Sequence, residues 1–210
     1  MDNLNYISFI AITVSLALML PLMEKKLRRL VIFMIADIFS CLFVSELNNI
    51  FLGTFHNDIF FVTTTVTPIT EEIVKMLPIL FFAIMVSDER STLIPISFAV
   101  GVGFALLENV VILTKNVENV TILWALVRGF GSGLVHGICT VMVGLGISYI
   151  TKRRKFFYCG TFALLSAAVI YHAIYTLLVQ SQYRYVGVLL PILTYIPIVL
   201  FLRKKKIKAN

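Results

Sequence analysis

Seven apolar runs separated by short polar connections constrain the fold of this chain more than any other feature of its sequence. Most of the runs reach the ~20 residues that an α-helix needs to cross ~30 Å of hydrocarbon, and the last is the shortest. With 59% hydrophobic and 14% charged residues, a soluble domain of this length would have to expose much of its apolar surface. We therefore predict an all-α polytopic membrane protein of about seven transmembrane helices, forming a single transmembrane domain over residues 1–210. The runs cover about residues 4–22, 30–52, 60–86, 93–114, 120–150, 156–179 and 186–202.

The basic residues predict the orientation of these helices. Cytoplasmic loops of membrane proteins are enriched in Lys and Arg. Fourteen of the 18 basic residues fall on one side of the predicted bundle, whereas only Lys115 and Arg184 fall on the other. This distribution predicts an N-terminus outside and a cytoplasmic C-terminus, and it accounts for the net charge of +7 without a nucleic acid partner. The inner basic residues lie at positions 25–29, 90, 152–155 and 203–208.

The connections between the runs are too short to hold a separate domain, so any active site has to be built from the helices. The first run lacks a basic leader and a cleavage site of small residues, which favours a retained helix over a signal peptide. Cys41, Cys139 and Cys159 show no paired spacing. We expect them to be small core residues and predict neither a disulfide framework nor a zinc knuckle.

The third run contains three charges near its middle. Ionisable groups at that depth are costly and normally face a protein interior or a water-filled cavity. Glu71 and Lys75 are four residues apart and should share a helix face, whereas Glu72 points about 100° away. Pro68 removes a backbone hydrogen bond and should kink the helix just before them. Two interpretations stay open: a structural ion pair that fixes helix packing, or a catalytic carboxylate held in a polar pocket.

Four acidic and imidazole side chains on different runs lie at one predicted depth. Glu71, Glu108, His136 and His172 are each about 14–16 residues from the inner end of their run, or roughly 21–24 Å at the α-helical rise. Glu and His are ligand types of catalytic zinc sites, where three protein ligands leave a position for water and a further carboxylate can take its proton. Hydrogen-bonded core histidines and a proton or ion pathway are the alternatives. Because the sequence lacks H-E-x-x-H, a metal site would have to be assembled from separate helices.

Small and polar residues accompany these positions. Gly101 and Gly103 should allow close helix approach near Glu108. Thr140 and Thr176 each follow a histidine by one turn and are candidates for hydrogen bonds within the polar cavity. In the fifth run a polar stripe lies beside a row of glycines, and we expect the glycine row to pack against a neighbouring helix. The stripe consists of Arg128, Ser132, His136 and Thr140, and the row of Gly129, Gly133 and Gly137.

Three further ionisable residues are expected outside the centre of this layer. Glu46 shares the predicted depth and is expected at the rim or as an outer partner of the central residues. Asp37 lies only seven residues from the inner end of its run, so we expect it to reach the interface by snorkelling. His56 falls in a short outer loop and is expected to be solvated.

Two short motifs and two histidines form a combination that resembles a known family. Residues 71–75 match E-E-x-x-K and residues 103–109 match G-F-A-x-x-E-N. His136 and His172 follow on the fifth and sixth runs, with Arg128 upstream. Together they resemble the PrsW family of bacterial intramembrane proteases, which is distantly similar to the CAAX-processing and bacteriocin-processing proteases. The resemblance covers the third to sixth runs.

The resemblance implies a multi-pass enzyme of the bacterial cell membrane that acts on a single-span membrane protein. The implied substrate is a membrane-anchored anti-sigma factor, cut near the outer face as the first (site-1) step of a regulated cascade. The resemblance further implies that Glu71 and Glu72 are essential and that His172, Glu108 and His136 belong to the site. It leaves open whether such enzymes need zinc or use a carboxylate-activated water without metal.

The predicted reaction is peptide hydrolysis by a water molecule that a carboxylate activates. Glu71 or Glu72 is expected to be the general base. Asn109 or Arg128 is expected to stabilise the oxyanion. The predicted ligands of Zn²⁺, or of the water itself, are Glu108, His136 and His172.

Two other functions would use the same polar layer. A small transporter or proton-coupled channel would also place Glu and His at mid-membrane, although the sequence shows no inverted repeat and no paired broken helices. An inactive relative that binds a substrate helix would have no need to keep the complete set of acidic and histidine positions.

Overall fold

The chain is helical in all seven predicted runs. A computed structural model describes the backbone of residues 3–207 and the side chains of residues 3–200. No strand occurs within residues 3–207, which confirms the all-α prediction for that part of the chain. The last basic block, residues 203–208, lies outside the described side chains.

The helices begin and end within a few residues of the predicted boundaries. A 3₁₀ turn, Leu20–Leu22, extends the first of them, and another, Val117–Asn119, connects the fifth to the sixth. The helices are α1 (Leu4–Met19), α2 (Lys25–Thr54), α3 (Ile59–Phe61), α4 (Thr67–Met85), α5 (Arg90–Lys115), α6 (Ile122–Ile147), α7 (Arg154–Val179) and α8 (Arg184–Ile207).

Within the described residues, five helical segments are long and apolar enough to cross a bilayer, which makes this a multi-pass membrane protein. They are Leu4–Leu22, α2, α5, α6 and α7. The helix α4 carries three charged residues in its first half, and the apolar part of α8, Arg184–Leu200, is shorter than the five. The number of seven transmembrane helices and the orientation of the termini stay predictions.

Two glycines of α5 let α2 and α6 approach it closely. A Cβ atom on Gly103 would overlap the backbone of Met34 in α2. A Cβ atom on Gly101 would overlap the backbone of His136 in α6. Small residues at such crossings are what allow membrane helices to pack backbone to backbone. The predicted close approach at these two glycines is confirmed, and it fixes α5 between the helices that flank the polar layer.

The glycine row of α6 packs as predicted at only one of its three positions. A Cβ atom on Gly137 would meet the ring of Phe98 in α5. At Gly129 and Gly133 it would meet no atom of the described residues within 4 Å. The prediction is wrong at these two because the face of α6 that carries them lies at the bundle surface, where Phe130 is also exposed.

Two apolar clusters enclose the polar layer. One joins α4, α5, α6 and α7 and includes Ile79, Phe82, Leu93, Val100 and Val143. The other joins α2, α4 and α5 and includes Ile38, Val44, Val74, Phe104 and Leu107. Charged side chains of α4 are therefore surrounded by close-packed apolar surface on two sides.

The predicted burial or exposure is wrong for Asp37 and Cys159 and confirmed for Cys41, Cys139 and His56. Asp37 does not reach the interface: it is fully buried on the packed face of α2, and neither carboxylate oxygen has a hydrogen-bond partner among the described atoms. Cys41 and Cys139 are buried as predicted, whereas Cys159 is exposed, and none of the three forms a disulfide within the described part of the chain. His56 is exposed, as predicted.

Candidate active site

The chain changes helical geometry next to Pro68, just before the two adjacent glutamates. The short α3 leads into a π-helical turn over Val62–Val66, and α4 begins at Thr67. Because Pro68 has no backbone N–H, it cannot donate the regular α-helical bond to the carbonyl of Thr64. Local π turns accommodate such interruptions and are frequent at functional sites. The predicted interruption is thus present as a π turn, with the glutamates one turn into α4.

Lys75 is completely buried and has the shortest contacts of the polar layer. Its ammonium nitrogen donates to Glu72 Oε1 at 2.6 Å and lies 2.7 Å from His136 Nδ1. Glu71 Oε2 lies 3.8 Å away, and the centroid of the Phe104 ring lies 4.7 Å from Nζ. The predicted proximity of Glu71 and Lys75 is present. The shorter contact is with Glu72, because residues three apart are also neighbours on a helix.

Glu71 faces both histidine rings. The rings of His136 and His172 pack edge to face, with centroids 4.8 Å apart. Glu71 Oε2 lies 3.8 Å from His136 Nδ1 and 3.8 Å from His172 Nε2. The Nδ1 of His172 donates to Glu72 Oε1 at 2.9 Å, since an ionised carboxylate can only accept. Glu72 therefore fixes the ring of His172 so that its Nε2 faces Glu71.

Glu108 lies at the opposite edge of the His136 ring from Glu71. Its Oε2 accepts a hydrogen bond from the Ser132 hydroxyl at 2.9 Å and lies 3.2 Å from His136 Nε2. Its Oε1 lies 3.2 Å from Arg128 Nη2. Three members of the predicted polar stripe of α6 thus converge on this one carboxylate.

The carboxylate that faces both imidazoles differs from the predicted one. The sequence suggested Glu108 together with His136 and His172, but Glu71 takes that position. The physical reason is that Glu108 is already held by partners on α6, an arginine and a serine, which orient it toward one edge of His136 only. Depth along the helices places both glutamates in the layer and does not distinguish them.

Three other predicted residues form no side-chain hydrogen bond with Glu71 or with an imidazole ring among the described residues. The Oδ1 of Asn109 is buried without a hydrogen-bond partner among the described residues. The Thr140 hydroxyl donates to the backbone carbonyl of Ser97 at 2.6 Å, so the predicted bond within the cavity is wrong for this residue. Glu46 accepts a hydrogen bond from the Tyr6 hydroxyl at 2.8 Å, between α2 and α1. None of these contacts involves Glu71 or an imidazole ring.

A cavity of about 230 Å³ leads to Glu71 between α1, α2, α4 and α5. Glu71 and Glu108 both line it, but Glu72 does not. The cavity extends past Asn48 to Lys115, which are close to the ends of α2 and α5 that the charge distribution predicts to be outside. It provides a route along which water can approach Glu71.

Part of this cavity was missed by the sequence reasoning. Asn5 of α1 lines it and donates to the Ser45 hydroxyl of α2 at 2.8 Å, and Asn48 lines it one turn further along. The available signal was Ser45 and Asn48, two polar residues three apart on one face of α2. Without knowing which face of α2 meets α5, that pair could not be assigned to the cavity.

The residues of this cluster fit a divalent metal ion. One ligand atom each from Glu71, His136 and His172 lies within 4.8 Å of the other two. Glu71 Oε2 is buried and has no hydrogen-bond partner among the described atoms, so a cation or a water is needed to satisfy it. The carboxylate of Glu72 on the far nitrogen of His172 is the outer contact that metal-ligating histidines normally have.

Comparison with known proteins identifies a family over most of the chain. The family model described as PrsW family intramembrane metalloprotease matches residues 24–202. The match starts at α2, ends within α8, and includes every residue of the cluster described above. No curated protein and no solved structure matches the chain.

Proposed function

Because the chain belongs to the PrsW family of intramembrane metalloproteases, we propose that it hydrolyses a peptide bond in a single-span membrane protein of the anti-sigma factor type. Family membership makes the chain a peptidase that resides in a lipid bilayer. We assign it to the bacterial plasma membrane and the cut to the outer half of that membrane. The observation that carries this proposal is the meeting of Glu71, His136 and His172, from three helices, within 4.8 Å.

Glu71 is the proposed general base, and Glu72 a positioning residue. Glu71 lines the cavity and its Oε2 lacks a described partner, whereas Glu72 Oε1 is engaged by Lys75 and His172. Glu71 takes a proton from the water as the water oxygen attacks the carbonyl carbon. It then returns the proton to the amide nitrogen as the C–N bond breaks.

The remaining residues of the cluster hold the two imidazoles in place. Glu72 orients His172 through Nδ1, and Glu108 faces Nε2 of His136. Arg128 balances the charge of Glu108. Direct oxyanion stabilisation by Asn109 or Arg128 stays a prediction.

Glu71, His136 and His172 would hold a metal ion, and Zn²⁺ is the ion we propose because Glu and His are among its usual ligands. When bound, such an ion supplies a Lewis acid that polarises the peptide carbonyl. One oxygen of Glu71 can face the ion while the other accepts the proton. Elemental analysis of the purified protein checks the assignment. Full activity in metal-free, chelator-treated protein would contradict zinc and leave the carboxylate chemistry of Glu71 standing.

The test of the proposed function is cleavage in a defined membrane. Purified protein is reconstituted in proteoliposomes with candidate single-span membrane proteins, and product ends are mapped by mass spectrometry. We expect a single cut in the outer half of the substrate span or directly beside it. Intact substrates together with measurable ion flux through the same vesicles would instead support the transporter interpretation.

A further inference from the structure

Lys75 places a positive charge where the proposed metal ligands meet. Its ammonium nitrogen lies 2.7 Å from His136 Nδ1 and 3.8 Å from Glu71 Oε2, which are two of the three proposed ligand atoms. Its firmest remaining partner is Glu72 Oε1 at 2.6 Å, which is not a proposed ligand. The ammonium is completely buried, so its charge has to be balanced by neighbouring protein groups rather than by water.

The contact with Lys75 uses the nitrogen that His136 would offer to a metal ion. An ammonium group has three donors and no acceptor, so Nδ1 of His136 must be the acceptor in this contact. In the neutral ring the proton then resides on Nε2, which faces Glu108 Oε2 at 3.2 Å. Both ring nitrogens are engaged. His172 differs, because only its Nδ1 is held and its Nε2 faces Glu71.

We infer that Lys75 and a divalent metal ion compete for the same ligand atoms, so that His136 can bind the ion only after the ammonium has left its Nδ1. This inference rests on the proposed metal site. The four-carbon stem of a lysine allows the ammonium to pivot, and Glu72 remains as its partner. In the metal-free protein, Lys75 thus holds the side chains of His136 and Glu71 close together. The same contacts lower the affinity of the site for a metal ion.

The competition predicts that removing the ammonium strengthens metal binding. We expect Lys75→Met to bind Zn²⁺ at least about tenfold more tightly than the wild-type protein, the scale on which contacts to ligating histidines alter metal affinity. Lys75→Arg retains a cation beside His136 and should remain at wild-type affinity or below. Adding His136→Ala to Lys75→Met should remove the gain. Isothermal titration of the purified proteins with Zn²⁺ alone provides the affinities, and Lys75→Gln serves for the same comparison if the Met variant does not fold.

A control separates competition for a ligand atom from a general change of charge. Arg128→Met also removes one positive charge from the cluster, although Arg128 is only partly buried and contacts Glu108 rather than His136. Its affinity for Zn²⁺ should change much less than that of Lys75→Met. An equal gain in both variants, or no gain on removing Lys75, would overturn the inference.

Failure of this inference is distinguishable from failure of the proposed function. Substrate cleavage by the wild-type protein, measured separately, tests the function. Cleavage without a gain in Zn²⁺ affinity on removing Lys75 overturns only the competition. Tighter binding in Lys75→Met, lost again with His136→Ala, supports the competition even if no candidate substrate is cut.

Discussion

Glu71 and Glu72 are neighbours in the chain but have different surroundings. Glu71 borders the cavity and faces two imidazoles, with one carboxylate oxygen that has no hydrogen-bond partner among the described atoms. Glu72 has no exposed surface and is held by an ammonium and an imidazole N–H. The rotation of about 100° between successive helical residues is sufficient to separate these environments. The two glutamates should therefore respond differently to the same substitution.

Glu72→Gln is expected to reduce cleavage without abolishing it. The amide oxygen can still accept a hydrogen bond from His172, but glutamine no longer neutralises Lys75. We expect kcat/KM to decrease roughly 10- to 100-fold, as is typical when an outer partner of a catalytic or ligating histidine is lost. Steady-state cleavage by the reconstituted variant measures this. Complete inactivity of folded Glu72→Gln beside an active Glu71→Gln would reverse the two assignments.

At the scale of elements, α5 determines how closely the helices of the site approach one another. Gly103 faces the α2 backbone and Gly101 faces the α6 backbone at His136. The G-F-A-x-x-E-N motif thus contains both Gly103, at the crossing with α2, and Glu108, whose carboxylate contacts His136. The two residues are between one and two helical turns apart. Helix spacing and site geometry depend on the same short segment.

Gly103→Ala should destabilise the bundle, whereas Gly129→Ala should not. The new methyl group at position 103 would overlap the Met34 backbone, and at position 129 it would meet no described atom within 4 Å. We expect a loss of about 1–3 kcal/mol for Gly103→Ala, typical of overpacking, and a change within about 0.5 kcal/mol for Gly129→Ala. Unfolding in detergent micelles provides both values. Equal stability of the two variants would contradict the close crossing of α5 and α2.

The sequence was sufficient to predict the helices and the meeting of their acidic and imidazole residues in one layer. Apolar runs of membrane-spanning length can satisfy their backbone groups only as helices, so their positions follow from hydropathy. Rotation about each helix axis was not predictable, because it depends on which neighbours a helix packs against. For this reason Asp37 proved to be buried, and Glu71 occupies the position expected for Glu108.

At the scale of the whole molecule, apolar helix packing surrounds a small polar centre. The carboxylate comes from α4 and the imidazoles from α6 and α7, while α1, α2 and α5 complete the cavity wall. Charge distribution predicts that the cavity opens toward the outer side. A juxtamembrane segment of a substrate would then reach Glu71 from that side without crossing the bilayer.

Glu71 is the proposed reacting carboxylate of this centre. The direct measurement compares the initial cleavage rates of wild-type protein, Glu71→Gln and Glu46→Gln in the same proteoliposomes. Glu46 is a matched control because it has a similar predicted depth but bonds to Tyr6 away from the cluster. We predict a rate at least about 100-fold below wild type for Glu71→Gln, the minimum expected on loss of a general base, and a wild-type rate for Glu46→Gln. Cleavage by folded Glu71→Gln at the wild-type rate would contradict the claim.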